Sequence, residues 1–240
     1  MRLRLLGVFA GAAMLCLPQH QLGQSLPLDP SRIPAGAWTY EFWEGDVHVG
    51  DLYSVVNRQD DLLVSTSYLS LPGGRQEGTI TLRASDLVPV HSHVVLIQGT
   101  GAFEARMRYE AGPDSLQVQR QVVRQAFPPG QALPLRSEWS VPRAGRYDMQ
   151  ELDLVIQALP LAEGAGWQVV VLDPTVDHPV SVSISVEGRG TSTTPAGSFD
   201  VWRVRARGLV TDMIYEFDVR DHRLVAQHAP SQGIRMLLKR

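Results

Sequence analysis

Strict alternation of apolar and charged side chains is the sequence feature that most constrains the fold of this chain. It is clearest in residues 103–110 and recurs in 202–207, in 180–187 with serines at most polar positions, and in 213–220 except at Ile214. In the first of these segments the apolar positions are Phe103, Ala105, Met107 and Tyr109. Because successive side chains of a strand point to opposite faces, each segment has one apolar and one polar face. The pattern predicts an antiparallel sheet with one large apolar surface.

The spacing of these segments narrows the fold class further. Strand-like segments follow one another at roughly ten-residue intervals, with turn sequences such as those at 44–46 and 72–74 between them. Short strands at this spacing are typical of antiparallel sandwiches and barrels. We therefore expect a mainly β protein built on a curved antiparallel sheet.

Residues 148–159 are the exception, because their apolar residues follow helical spacing. The apolar stripe consists of Leu152, Val155, Ile156 and Leu159. Asp148 and Glu151 have the spacing of a capping box at the start of a helix, and Pro160 ends it. The sequence thus predicts one short helix that covers the concave face of the sheet.

Residues 1–25 have the composition of a secretory signal peptide. A positively charged start precedes the nearly unbroken apolar run 5–17, which Pro18 ends. The run is shorter than the roughly 20 apolar residues that a helix needs to cross a bilayer. We expect cleavage after Gly23 or Ser25 and export to the periplasm or the extracellular space.

The single cysteine, Cys16, lies inside this leader. Bacterial lipoproteins carry a cysteine at the end of the apolar run, but the bulky Leu15 before it argues against lipid anchoring through Cys16. Removal of the leader leaves a chain without cysteine, so we expect neither a disulfide nor thiol chemistry, and stability that rests on the hydrophobic core.

The remaining chain is predicted to form a proline-rich extended segment over residues 26–36 and a single antiparallel β domain over 37–240. The formal net charge of −3 becomes −5 when the leader is lost with its two arginines. This acidity argues against a nucleic-acid partner, which calls for a basic patch. Since no second apolar run is long enough, we expect no transmembrane span.

The second half of the chain resembles a known family in three segments, 151–161, 194–204 and 215–224. The sequence Thr-Pro-Ala-Gly-Ser-Phe at 194–199 stands before a strand, and the last segment reads as a hairpin that continues into Arg-Leu-Val. Together they resemble the exported bacterial family called domain of unknown function 3108. The resemblance implies a half-barrel like that of periplasmic lipoprotein carriers, closed by helices. It implies no catalytic residues.

Candidates for metal binding and catalysis are sparse. His91 and His93 share one face of a strand, as metal ligands can, but no third ligand with diagnostic spacing follows. Acid–histidine clusters end at His178 and His222, where turns are expected. Since the chain lacks a nucleophile elbow, a phosphate loop and a His-Glu-x-x-His motif, we predict no catalytic residue, no metal and no cofactor.

A basic row is predicted on the polar face of one strand, at Arg203, Arg205 and Arg207. It could meet an anionic lipid headgroup or a carboxylate polymer. It could equally pair across the hairpin with Glu216 and Asp218, where opposite charges contribute about 0.2–1 kcal/mol. We favour the pairing.

The apolar face of the sheet is the remaining functional candidate, because a curved sheet with one helix can leave a cavity on its concave side. The residues that we predict to line it are Trp38, Tyr40, Phe42, Phe103, Met107, Tyr109, Trp202, Tyr215 and Phe217. The leading hypothesis is a non-catalytic exported protein that binds an apolar or lipid-like small molecule, or a lipidated partner. The alternatives are a structural or assembly protein of the cell envelope with a filled core, and a hydrolase that uses an acid–histidine cluster.

Overall fold

Fifteen strands and one α-helix make up the part of the chain that the computed structural model describes, residues 25–126, 133–176 and 178–240. The predicted signal peptide, with Cys16, lies outside the described residues except for Ser25. The strands are β1 (Gly36–Glu44), β2 (Val47–Gln59), β3 (Leu62–Leu71), β4 (Gly74–Arg83), β5 (Pro89–Gln98), β6 (Gly101–Ala111), β7 (Ser115–Ala126), β8 (Arg136–Pro142), β9 (Arg146–Asp148), β10 (Gly166–Leu172), β11 (Val180–Thr194), β12 (Gly197–Arg207), β13 (Met213–Asp218), β14 (Leu224–Ala229) and β15 (Ile234–Leu238).

All of these strands belong to one sheet, in the order β8-β7-β6-β5-β4-β3-β2-β1-β15-β14-β13-β12-β11-β10-β9. Neighbours pair antiparallel, except that β9 runs parallel to β10. The two edge strands, β8 and β9, follow each other directly in the chain. The chain therefore crosses the open side of the sheet itself, in the short connection between them.

The sheet curls until its two ends meet, which makes a nearly closed barrel. At this seam the Ser92 hydroxyl of β5 donates to Asp148 Oδ2 of β9 at 2.6 Å. On the neighbouring side, Arg120 of β7 donates to the carbonyl of Val176, just beyond β10, at 2.5 Å. The expected half-barrel is therefore wrong. Alternation determines which face of each strand is apolar, but it says nothing about how far the sheet curls, and β8 and β9 were not predicted.

The predicted helix is confirmed. A 3₁₀ turn, Met149–Glu151, leads into α1 (Leu152–Ala158). The capping box is present, since the Asp148 carboxylate accepts from the Gln150 N–H at 2.8 Å and the Glu151 carboxylate accepts from the Asp148 N–H at 2.5 Å. The predicted apolar stripe is buried in the largest core cluster, so the helix packs inside the barrel.

The N-terminal segment, predicted as extended, holds the far end of α1. It contains a 3₁₀ turn, Pro30–Arg32, and its Ile33 is buried in the same core cluster as the helix. The Asp29 N–H donates to the Ala158 carbonyl at 2.8 Å, and the Arg32 guanidinium donates to the Leu159 carbonyl at 3.1 Å. These bonds satisfy carbonyl groups that the last turn of a helix leaves without partners.

The apolar interior is divided into three clusters. The largest joins α1 to strands at both sides of β1. A second lies at the seam and contains Val88, Met107, Tyr109, Leu116, Val118, Val141 and Leu172. The third contains Val94, Phe103, Ala105 and Val122. The apolar face of the sheet is thus not one continuous surface.

Candidate functional site

A cavity of about 180 Å³ lies inside the barrel, between α1 and the inner faces of β1–β4 and β13–β15. We call it the α1 cavity. Its walls combine aromatic and polar side chains, whereas the core clusters of the barrel are made of apolar and aromatic residues. The polar residues come from the helical segment and from β2 and β3, and also include Gln76, Gln227 and Arg223.

The helical segment contributes Gln150, from the 3₁₀ turn, and Asp153 and Gln157, from α1, to the cavity wall. Their spacing of three and four residues places them along one stripe beside the apolar one. Such a stripe in an amphipathic helix usually faces solvent. Because this helix is inside the barrel, its polar stripe faces the cavity instead.

The sheet contributes Ser54 of β2 and Ser65 and Ser67 of β3. Ser54 and Ser67 are directly opposed across the two strands. Along β3 these serines occupy the inward positions between Leu63 and Leu69, where alternation calls for apolar residues. Within the described ranges none of the three hydroxyl groups has a hydrogen-bond partner, so all three are available at the cavity wall.

Gly78 of β4 makes room for the helix-borne amide. A Cβ atom at this position would lie 2.5 Å from Gln150 Oε1 and 2.9 Å from Ser67 Oγ. Both separations are shorter than van der Waals contact, so any side chain at position 78 would clash with the Gln150 amide and the Ser67 hydroxyl. The absence of a side chain at Gly78 therefore lets the Gln150 amide lie against the sheet, where it forms part of the wall.

Asp153 is the only carboxylate in the described wall of the cavity. Burial raises its pKa from 3.8 to about 6, although backbone N–H groups of Asp153 and Leu154 partly oppose the shift. It forms no ion pair with any described residue. Burial also raises the pKa of Tyr40 and of Tyr215, and the nearby Asp153 charge adds to both shifts.

Two buried nitrogen atoms at the cavity have no hydrogen-bond partner among the described residues, Gln150 Nε2 and Arg223 Nε. The rest of the Arg223 guanidinium is engaged. Its Nη2 lies 3.8 Å from Asp221 Oδ2 and 4.0 Å from Asp218 Oδ2, and the group stacks 5.7 Å above the Phe199 ring. Arg223 therefore has its acidic neighbours outside the cavity wall, whereas its Nε donor has no acceptor among the described residues.

The predicted site residues separate into two groups. Trp38, Tyr40 and Tyr215 line the α1 cavity. The other six pack elsewhere: Trp202 and Phe217 in the largest cluster with Phe42 against it, Phe103 in the third cluster, and Met107 and Tyr109 at the seam. Because the barrel divides its apolar interior, these six do not share a wall of this cavity with the first three.

The histidine candidates lie away from the cavity or serve the fold. His93 Nε2 is 3.0 Å from Glu104 Oε1 on the outer face of the barrel. Burial, and then the neighbouring His93 and Arg106, lower the pKa of His91. His222 Nδ1 donates to the Gln157 carbonyl at 2.9 Å, which ties the β13–β14 turn to α1. The described residues contain no group of three or more side chains arranged to hold a metal ion.

The predicted basic row is neutralised by acidic neighbours, mainly on a different strand from the one expected. Glu187 of β11 lies 3.0 Å from Arg203 and 2.5 Å from Arg205, and Arg203 lies 3.6 Å from Glu216. Arg207 lies 3.6 Å from Asp212. Asp218 does not join the row, because it is buried and pairs with Arg220 at 3.3 Å.

A second polar cluster, at the seam, was also missed. The Tyr109 and Ser92 hydroxyls both donate to the Asp148 carboxylate, and Glu151 lies behind it. All four side chains are buried, and burial raises the pKa of both acids. The capping-box spacing identified Asp148 and Glu151, but it could not indicate that their carboxylates are buried between the two ends of a sheet.

Comparisons with known proteins support the fold and leave the function open. No protein-family model and no curated protein match the chain. The chain is similar to the crystal structure of a β-barrel-like protein of domain of unknown function 1849 from Brucella abortus. The TM-score is 0.51, with 11% identity over 85% of this chain and 94% of that one. At this identity the likeness shows a β-barrel-like fold and nothing about activity.

A much weaker likeness, with a TM-score of 0.26 and 8% identity, links 91% of the chain to 98% of a Bacteroides fragilis protein with a YmcC-like fold, thought to be exported. It carries no argument. Membership of the domain of unknown function 3108 family is not confirmed and stays a prediction. No helix within the described ranges is long and apolar enough to cross a membrane.

Proposed function

We propose that this chain is an exported, non-catalytic binding protein that holds a small amphipathic ligand in the α1 cavity. The observation that supports this most strongly is the placement of polar groups. Three inward serines, four glutamines, one arginine and one carboxylate line this cavity, whereas the three core clusters of the barrel are apolar. Buried polar groups without partners are costly, and a ligand that bonds to them removes that cost.

The size of the cavity restricts the ligand. Small-molecule sites usually enclose about 300–1,000 Å³, whereas the α1 cavity encloses about 180 Å³. The volume favours a compact molecule over a long acyl chain or a lipidated segment, which narrows the lipid-like ligand that the sequence suggested.

Screening compact amphipathic compounds by the shift in thermal unfolding midpoint tests this proposal, with Ser65→Leu as the site variant. The added side chain would fill part of the cavity, whereas Thr66→Leu places the same side chain on the outer face. Compounds that stabilise the wild type should fail with Ser65→Leu and still act on Thr66→Leu. Equal stabilisation of both variants would place binding elsewhere and refute the proposal.

The same small volume also supports a second candidate, a structural or assembly protein of the envelope with a filled core. In that case the polar wall holds only water, and the exposed edge of β8 serves as the binding strand. A screen in which no compound shifts the unfolding midpoint would favour this candidate. The hydrolase alternative has less support, since neither His178 nor His222 hydrogen-bonds to a serine or aspartate side chain among the described residues.

A further inference from the structure

We infer that the α1 cavity takes a compact ammonium ligand that also carries an acceptor oxygen. This inference rests on the proposed binding role and specifies the chemistry of the ligand. Three features of the cavity wall support it: an unpaired carboxylate, aromatic side chains around it, and two buried donors without acceptors.

The carboxylate supplies the negative charge. Asp153 lies in the wall with no cation paired to it in the described part of the chain. An ionised carboxylate taken out of water is costly unless a positive charge accompanies it. Arg223, the one cation in the described wall, lies 3.8 Å from Asp221 and 4.0 Å from Asp218 and forms no ion pair with Asp153. A cationic ligand would supply the positive charge.

The aromatic side chains suit the same ligand. Trp38, Tyr40 and Tyr215 line the cavity together with Asp153. Ring faces attract ammonium groups, and the attraction is stronger where water is excluded. The Tyr40 hydroxyl is already used, since it donates to the Leu224 carbonyl at 3.2 Å. This bond to the barrel fixes Tyr40 in the cavity wall.

The unused donors predict the second group of the ligand. Gln150 Nε2 and Arg223 Nε are buried and lack acceptors among the described residues. Both are donors only, so the partner they require is an oxygen such as a hydroxyl or a carboxylate. An ammonium compound with such an oxygen offers a cation to the carboxylate and an acceptor to these donors.

Three probes of similar size separate the contributions: choline, its neutral isostere 3,3-dimethyl-1-butanol, and ethyltrimethylammonium, which lacks the hydroxyl. In calorimetric titrations of the purified chain at pH 7.5, choline should bind about tenfold or more tightly than the neutral isostere, as expected for a desolvated cation contact. Choline should also bind more tightly than ethyltrimethylammonium.

Asp153→Asn keeps the size of the side chain and removes its charge, and Asp200→Asn makes the same change at an exposed position. The preference for choline over the isostere should collapse to within about twofold in the first variant and persist in the second. It should also fade in the wild type as the pH falls below 6, where Asp153 becomes protonated. If Asp153 had only a structural role, neither the Asp153→Asn substitution nor the fall in pH would change the preference for choline over the isostere.

Equal binding of choline and the neutral isostere to the wild type would overturn the ammonium inference and leave the proposed binding role intact. The same holds if other compact compounds bind and choline does not. Persistence of the preference in Asp153→Asn would exclude Asp153 as the anchor. Equal binding of choline and ethyltrimethylammonium would exclude the acceptor oxygen. Failure of every compact compound to bind would refute the binding role itself.

Discussion

Replacing Asp153 by asparagine should change how stability depends on pH. Burial raises the pKa of Asp153, so between about pH 4 and pH 6 the native state holds a proton that the unfolded state has released. The contribution of this group is therefore fully present below its unfolded pKa and is lost as the pH rises through the folded value. Asparagine cannot titrate, so the variant lacks this contribution.

The size of the effect follows from the two pKa values. With 3.8 in the unfolded chain and about 6 in the native state, Asp153 alone makes the protein roughly 2 kcal/mol more stable at pH 4 than at pH 7. Other buried acids titrate in the same range, so the informative quantity is the difference between wild type and Asp153→Asn.

Urea unfolding of both proteins, followed by circular dichroism at intervals from pH 4 to pH 8, measures this difference. The variant should gain stability relative to the wild type by about 2 kcal/mol between pH 4 and pH 7, with most of the change before pH 6. A difference in unfolding free energy that is the same at pH 4 and pH 7 would mean that Asp153 is not desolvated in the native state. The electrostatic description of the cavity would then be wrong.

Three further predictions concern the frame around the cavity. Gly50→Ala should lower the free energy of unfolding, measured in urea, by about 3 kcal/mol, because its Cβ would lie 1.8 Å from the Ser70 carbonyl oxygen. The control Gly190→Ala should lower it little, because a Cβ there has no atom within 4 Å. Leu172→Ala should lower the free energy of unfolding by about 2–5 kcal/mol, because this buried side chain packs across the seam. A loss below about 1 kcal/mol would contradict a closed barrel. Burial raises the pKa of Glu151, so the stability of the wild type should fall as the pH rises above about 4.5. The stability of Glu151→Gln should fall less steeply between pH 5 and 8. Parallel curves of stability against pH for the two proteins would argue against burial of the carboxylate.

The local elements could be predicted from the sequence because their signals are local. Alternation identified β6 and β11–β13, and the capping-box spacing of Asp148 and Glu151 located the start of the helical segment correctly. Closure of the barrel could not be predicted this way. It depends on contacts such as that of Ser92 with Asp148, which are 56 residues apart in the chain.

The cavity was predictable only in part. The aromatic pattern of β1 placed Trp38 and Tyr40 on the inner face, but the division of the interior into three clusters depends on how the sheet wraps. A usable signal was present in β3, where Ser65 and Ser67 occupy inward positions between leucines. Asp153 gave no such signal, because a polar stripe on an amphipathic helix is normally expected to face solvent.

A crystal structure of the protein with the compact compound that stabilises it most is the most direct test of a ligand-binding α1 cavity. Electron density for the compound should lie beneath α1, in contact with Asp153 and with the ring of Trp38 or Tyr215. Density at another surface, with the α1 cavity occupied only by water, would contradict the proposal and favour an envelope protein with a filled core.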